Sequence, residues 1–244
     1  MSETSTIRVE SVSQYATEIE SIRTKEDAAK NRADLLFRGQ MRDWALLPKI
    51  GRPEIRLKNQ SIAAGERLVF DEFKRTSVPF QSRAVNDWDL LALAQHHGLP
   101  TRLLDWTYSA LAALWFTVRE PLPDRKQDGV VWVLAAPLED YRNVDEGESP
   151  FDNSRRTRVL RPRQVSPRIV AQSGVFTVHK LLDKGFIPLN KNKDYTAKLT
   201  KIIVPARKFE RIRKQLEMSG VHAALLLPDL DGLCEFLTRR YTHS

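Results

Sequence analysis

The run Gly129-Val130-Val131-Trp132-Val133-Leu134-Ala135-Ala136 constrains the fold more than any other segment. It contains no polar side chain, so period-two alternation of apolar and polar residues is absent. A short continuous apolar run of this kind reads as a strand covered on both faces. Further strand candidates are 35–38, 44–48, 168–171, 175–179, 201–204 and 223–227. Helix candidates are 8–30, 62–76, the stretch from Asn86 to Gly98, 110–118, 206–218 and Asp229 to Tyr241. In 62–76 the expected core positions are Leu68, Phe70 and Phe73. Asn86 is the expected N-cap of the third helix, Gly98 its stop, and Pro100 forbids continuation. Strands and helices mix without regular βαβ alternation. The expected fold is therefore α+β, a single domain with a mixed, mostly antiparallel central sheet flanked by helices. Residues 1–33 read as an N-terminal helical segment and 34–244 as the main domain. Residues 138–167, poor in periodicity, read as a basic loop or insertion.

Chemistry-bearing residues concentrate in two blocks. The first is Asp34-Leu35-Leu36-Phe37-Arg38-Gly39-Gln40, a short apolar strand ending on an arginine and a glycine. It is expected to put a fixed cation at a sheet edge. The second is Gln95-His96-His97-Gly98-Leu99-Pro100-Thr101-Arg102-Leu103-Leu104-Asp105-Trp106-Thr107. It crowds two imidazoles, an arginine, a carboxylate and an indole into a dozen residues. Arg38 and Asp105 are expected to share one pocket with the histidine pair. Asp105 orients Arg38, and the guanidinium stays able to hold an anion. Adjacent helical histidines point about 100° apart, so one is expected to cap helix carbonyls and the other to face the cleft as an acid or base. Arg102 and Asp105 fall on opposite faces of an ideal strand, so only a bend brings both into one site. Trp106 reads as core first and as a stacking platform second.

The chain carries a formal net charge of +8. Between Asn153 and Leu182 lie Arg155, Arg156, Arg158, Arg161, Arg163, Arg168 and Lys180 without a carboxylate. Two readings stay open: a solvated loop, or an arm that grips phosphates of DNA or RNA. The single cysteine, Cys234, excludes an internal disulfide and favours a reducing cytoplasm. No apolar run reaches the length of a membrane span. The sequence has no Walker loop, Gly-x-Ser-x-Gly, His-Glu-x-x-His or Cys-x-x-Cys, and no metal site is expected.

Phe37-Arg38-Gly39-Gln40, Leu47-Pro48 and the Gln95–Thr107 block with Ala112-Ala113-Leu114-Trp115-Phe116 resemble the FRG-domain family. Arg168, Gln172, Gly174 and Phe176 resemble a third block of that family, and Pro228-Asp229-Leu230-Asp231-Gly232-Leu233 a closing one. This resemblance implies an intracellular bacterial or phage protein without fixing its activity. A second likeness is to ADP-ribosyltransferases, which open with an aromatic-Arg-Gly strand whose arginine holds the NAD phosphates. It implies NAD as a ligand, with a nucleic-acid or protein acceptor. Where those enzymes carry a late glutamate, this chain has Gln172, which can bond a ribose hydroxyl but carries no charge.

The residues expected to carry catalysis are Arg38, His97, Asp105 and Gln172. Those expected to bind are Gly39, Gln40, His96, Thr101, Arg102, Trp106, Thr107, Arg155, Arg156 and Arg158. The alternative is a non-catalytic module that binds nucleic acid or senses a protein partner, for example in phage defence.

Overall fold

A computed structural model describes residues 4–58, 61–81, 86–120, 127–142, 149–152, 156–163 and 170–242. A seven-stranded sheet is built from β1 (Ser5–Arg8), β2 (Asp34–Gln40), β3 (Leu103–Thr107), β4 (Gly129–Ala136), β5 (Arg158–Leu160), β6 (Gly174–Val178) and β9 (Leu199–Val204). Its order is β1-β9-β4-β2-β3-β6-β5. Only β1 and β9 run parallel; every other pair is antiparallel. The short strands β7 (Leu181–Leu182) and β8 (Gly185–Phe186) form a separate hairpin. The fold is the expected single-domain α+β arrangement. Among the described residues no helix is long and apolar enough to cross a membrane.

β4 behaves as its apolar run requires. Val131 and Val133 join a core shared with α1 (Val12–Ala28), α4 (Ala110–Val118) and α5 (Phe209–Met218). Val130, Trp132 and Leu134 join a second core on the opposite face with Leu36, Leu104, Trp106 and Tyr195. A third core packs α2 (Ile62–Thr76) and α3 (Asp87–His96) on Leu103, Leu160, Phe176 and Val178. Leu68 is exposed, contrary to expectation, whereas Phe70 is buried and Phe73 packs against the core. The inward face of α2 follows Glu66, Phe70 and Phe73 at helical spacing, and Leu68 falls off that stripe.

α3 starts where expected. The Asn86 side chain accepts from Asp89 N at 2.8 Å, and Gly98 takes φ +86° just past the helix end. That left-handed backbone is what glycine permits at this position. Two sets of strand candidates fail. Residues 44–48, read as an extended piece, belong to no strand and Leu47 N bonds the Ala45 carbonyl at 2.8 Å, and 223–227 form α6 (Ala223–Leu226) ahead of α7 (Leu230–Tyr241). For 168–171, residues 168–169 lie outside the described set and 170–171 are helical. β1, ahead of α1, was hidden from the sequence because its residues are mostly polar and it needs β9 beside it.

Candidate functional site

β2 is not an edge strand. It is the fourth of seven, and all seven of its residues pair with β4 from Asp34↔Ala136 to Gln40↔Val130. Its other side is different, because β2 and β3 share one register pair, Phe37↔Thr107. Beyond that pair the strands part. The sheet thus consists of β1-β9-β4-β2 and β3-β6-β5, joined at a single rung. Arg38 spans the opening: its Nη1 donates to the Asp105 backbone carbonyl at 2.7 Å and lies 3.5 Å from Asp105 Oδ2. A side chain here bonds a carbonyl that the strand ladder leaves without its partner.

The opening widens into a cleft of about 830 Å³. Arg38, Gly39, Gln40, His96, Asp105, Trp106, Thr107 and Gln172 all line it, so the two sequence blocks and Gln172 converge. Arg38 is 15% exposed at its side chain and Asp105 53%. Burial lowers the Arg38 pKa, the Asp105 charge opposes that shift, and Arg52 adds to it. Arg38 Nε is buried with no hydrogen-bond partner. Asp105 is itself held, since Gln95 Nε2 donates to its Oδ2 at 2.9 Å and Thr101 Oγ1 donates to Gln95 Oε1 at 2.7 Å. Thr101 is therefore buried behind the wall and acts through Gln95.

Gly39 has a packing reason. A Cβ built on it would lie 1.9 Å from the Ala113 carbonyl oxygen of α4. Gln40 is buried and accepts from Trp132 Nε1 at 3.2 Å. Trp106 is core with one edge on the cleft, and its Nε1 donates to Thr177 Oγ1 at 3.1 Å. Thr177 Oγ1 is in turn 3.2 Å from His179 Nε2. Burial pushes the His179 pKa down to about 3, with Arg38 contributing and a contact from the Ile187 backbone opposing. This imidazole is neutral beneath the cleft. The Thr107 hydroxyl donates to the Gln172 carbonyl, and Gln172 Nε2 donates to Leu226 O at 3.0 Å.

Besides Thr101, four expected site residues among those described stand elsewhere. His97 is the C-cap residue of α3 and is exposed outside the cleft lining; its ring meets that of His96 edge-on at 4.9 Å. Arg102 is buried in an ion pair with Glu66: its N, Nε and Nη2 donate to that carboxylate at 2.8, 2.9 and 2.7 Å. The odd offset from Asp105 sends Arg102 into the core under α2. Arg156 reaches Asp140 at 3.2 Å and the Glu139 carbonyl at 2.6 Å, and Arg158 donates to the same carbonyl at 2.6 Å. Both arginines fasten the Leu138–Asp140 turn. Arg155 lies outside the described residues.

The cleft also recruits residues outside the expected site set, Phe116 among them although it closes the segment that follows the second sequence block. Trp44, Arg52 and Glu54 come from the loop after β2, and Phe116, Arg119 and Glu120 from the end of α4 and just beyond it. Pro48 and Pro53 punctuate that loop. Arg119 is anchored by Glu235 of α7 at 2.5 Å. Among the described residues no group of three or more His, Cys, Asp or Glu is placed to hold a metal ion.

The family model of the FRG domain matches residues 33–126. That span holds both sequence blocks, from β2 through α4, while the third and closing blocks lie beyond it. No curated protein matches the chain, and no solved structure does.

Proposed function

Because the chain carries an FRG domain over residues 33–126, we propose that the opening between β2 and β3 binds a ligand bearing both phosphate and an aromatic ring. A nucleotide is the simplest such ligand, and NAD the first to try. The observation that carries this reading is Arg38: Nη1 is fixed by Asp105, while Nε is buried without a partner. A buried donor left unmade costs about 1–3 kcal/mol, which a ligand oxygen would recover. Arg52 supplies a second cation at the same cleft, and arginine suits phosphate through its planar fork. Trp44, 48% exposed at the rim, and Phe116 offer ring faces.

Titration of the protein with NAD, ADP and pyrophosphate, followed by tryptophan fluorescence and calorimetry, tests this. Saturable binding is expected. Arg38→Ala should weaken it about tenfold to a hundredfold, the loss of a charged hydrogen bond worth about 1.5–3 kcal/mol. Wild-type protein that binds none of the three ends the reading.

A second reading is glycosyl transfer from NAD, favoured by Gln172 sharing the cleft with Arg38 and Asp105. The nicotinamide–ribose bond would break and an acceptor nucleophile would take the ribose carbon. With Nε2 tied to Leu226, the Gln172 amide oxygen is the end that meets a ribose hydroxyl. Nicotinamide release is the assay, and Gln172→Glu should raise it, because a carboxylate stabilises developing positive charge. A nucleic-acid arm has less support, since Arg156 and Arg158 are already engaged with the 138–140 turn.

A further inference from the structure

The last helix, α7, has two apolar faces where a surface helix needs one. Phe236 packs toward the core, stacked on His222 at 4.2 Å, and Gly232 is buried. Leu230, Leu233, Leu237 and Tyr241 recur at spacings of three and four residues and form a second stripe. They are 77%, 41%, 41% and 75% exposed. Single exposed leucines need no explanation, but a continuous stripe marks an interaction surface.

The charges beside this stripe identify what fits it. Asp229, the N-cap residue, and Arg240 lie on the same flank at about 100° per residue, one at each end of the helix. Both are exposed. In an antiparallel pair related by a two-fold axis, each flank faces its own copy with the ends exchanged. Asp229 then meets Arg240 of the second copy, and Arg240 meets the second Asp229. The same alignment sets Leu233 opposite Leu237 of the other helix, twice over, with opposed helix dipoles. In a parallel pair the same flanks lie on opposite sides of the seam, so Asp229 and Arg240 would not meet each other's copies.

We propose that α7 is a self-association surface and that its occupant is a second copy of this chain, docked antiparallel. A single helix pair buries less than the roughly 1,600 Å² of a standard interface, so the dimer is weak and dissociates on dilution. Cys234, the only cysteine, is exposed and borders the stripe near its midpoint. In the dimer the two Cys234 side chains lie close to the two-fold axis.

Sedimentation velocity of the chain over a dilution series should show a monomer–dimer equilibrium. Leu233→Glu combined with Leu237→Glu should abolish the dimer at every concentration where wild type associates. Both side chains are exposed, so thermal unfolding of the variant should match wild type, which separates lost pairing from lost folding. A short bis-maleimide should cross-link wild type through Cys234, and the double variant should lose that product. A chain that stays monomeric throughout, or a dimer that survives the double substitution, overturns the proposal.

Discussion

Arg38 and Arg102 are both strand-associated arginines beside a carboxylate, yet they do opposite things. Arg38 faces the opening between two strands and keeps a buried Nε without a partner. Arg102 gives every bond it makes with Glu66 to the interior, where the two side chains are 6% and 1% exposed. The difference sets up separable outcomes. Glu66→Gln leaves a buried guanidinium without its counter-charge and should cost about 3–5 kcal/mol of stability, measured by denaturant unfolding. Arg38→Ala should cost little stability and act on ligand binding. Asp105→Asn should sit between these, because Gln95 and the Asp105 backbone carbonyl still hold their geometry while the charge that sustains Arg38 is gone.

At the scale of the element, β2 does two jobs through its alternation. Leu35, Phe37 and Gly39 face α4, whereas Leu36, Arg38 and Gln40 face the other layer. The glycine lets α4 approach closely enough to touch the strand, and this seats the end of α4 against the cleft. A methyl group at Gly39 would meet the Ala113 carbonyl at 1.9 Å and Thr117 Oγ1 at 2.8 Å. The Ala113 carbonyl is helix backbone and cannot yield without moving the helix. Gly39→Ala is therefore expected to destabilise by about 1–3 kcal/mol, the usual range for overpacking. A melting-temperature comparison checks this, and an unchanged melting temperature would show that α4 can slide off the strand freely.

For the whole molecule, three cores meet around one incomplete strand pairing. Loss of ladder bonds between β2 and β3 is tolerable because β2 is fully paired to β4 and β3 to β6. His179 sits below this junction, bonded to Thr177 and sensing the Arg38 charge. Its folded pKa lies near 3 against an ordinary 6.5, so the unfolded chain takes up a proton that the native state refuses. The sign follows: this contribution is fully present above the ordinary histidine range and is lost as pH falls toward the folded pKa. Between pH 6.5 and about 5 it should lower stability by up to about 1.4 kcal/mol per pH unit. Chemical unfolding across that range should show a shallower slope for His179→Gln than for wild type. Equal slopes would mean that another group controls the acid limb.

Local rules made much of this legible in the sequence. An unbroken apolar run forces two-sided burial, so β4 and the helices over it could be anticipated. Asn86, Gly98 and Asp229 mark helix ends because capping acts within a few residues. Crowding of polar residues in two blocks pointed to one pocket, and Arg38, His96 and Asp105 line one cleft together with Gln172. Which member of each block enters the cleft depended on long-range packing. Arg102 turns inward because Glu66, 36 residues away, waits on the inward face of α2. His97 stays outside because α3 ends with His96 toward the cleft. Arg52 and Arg119 belong to the site through the path of a loop and the end of a helix, which no periodicity encodes. The opening itself is a tertiary property: Phe37↔Thr107 is the one rung that forms, and only the packing of the two half-sheets decides where the next one fails.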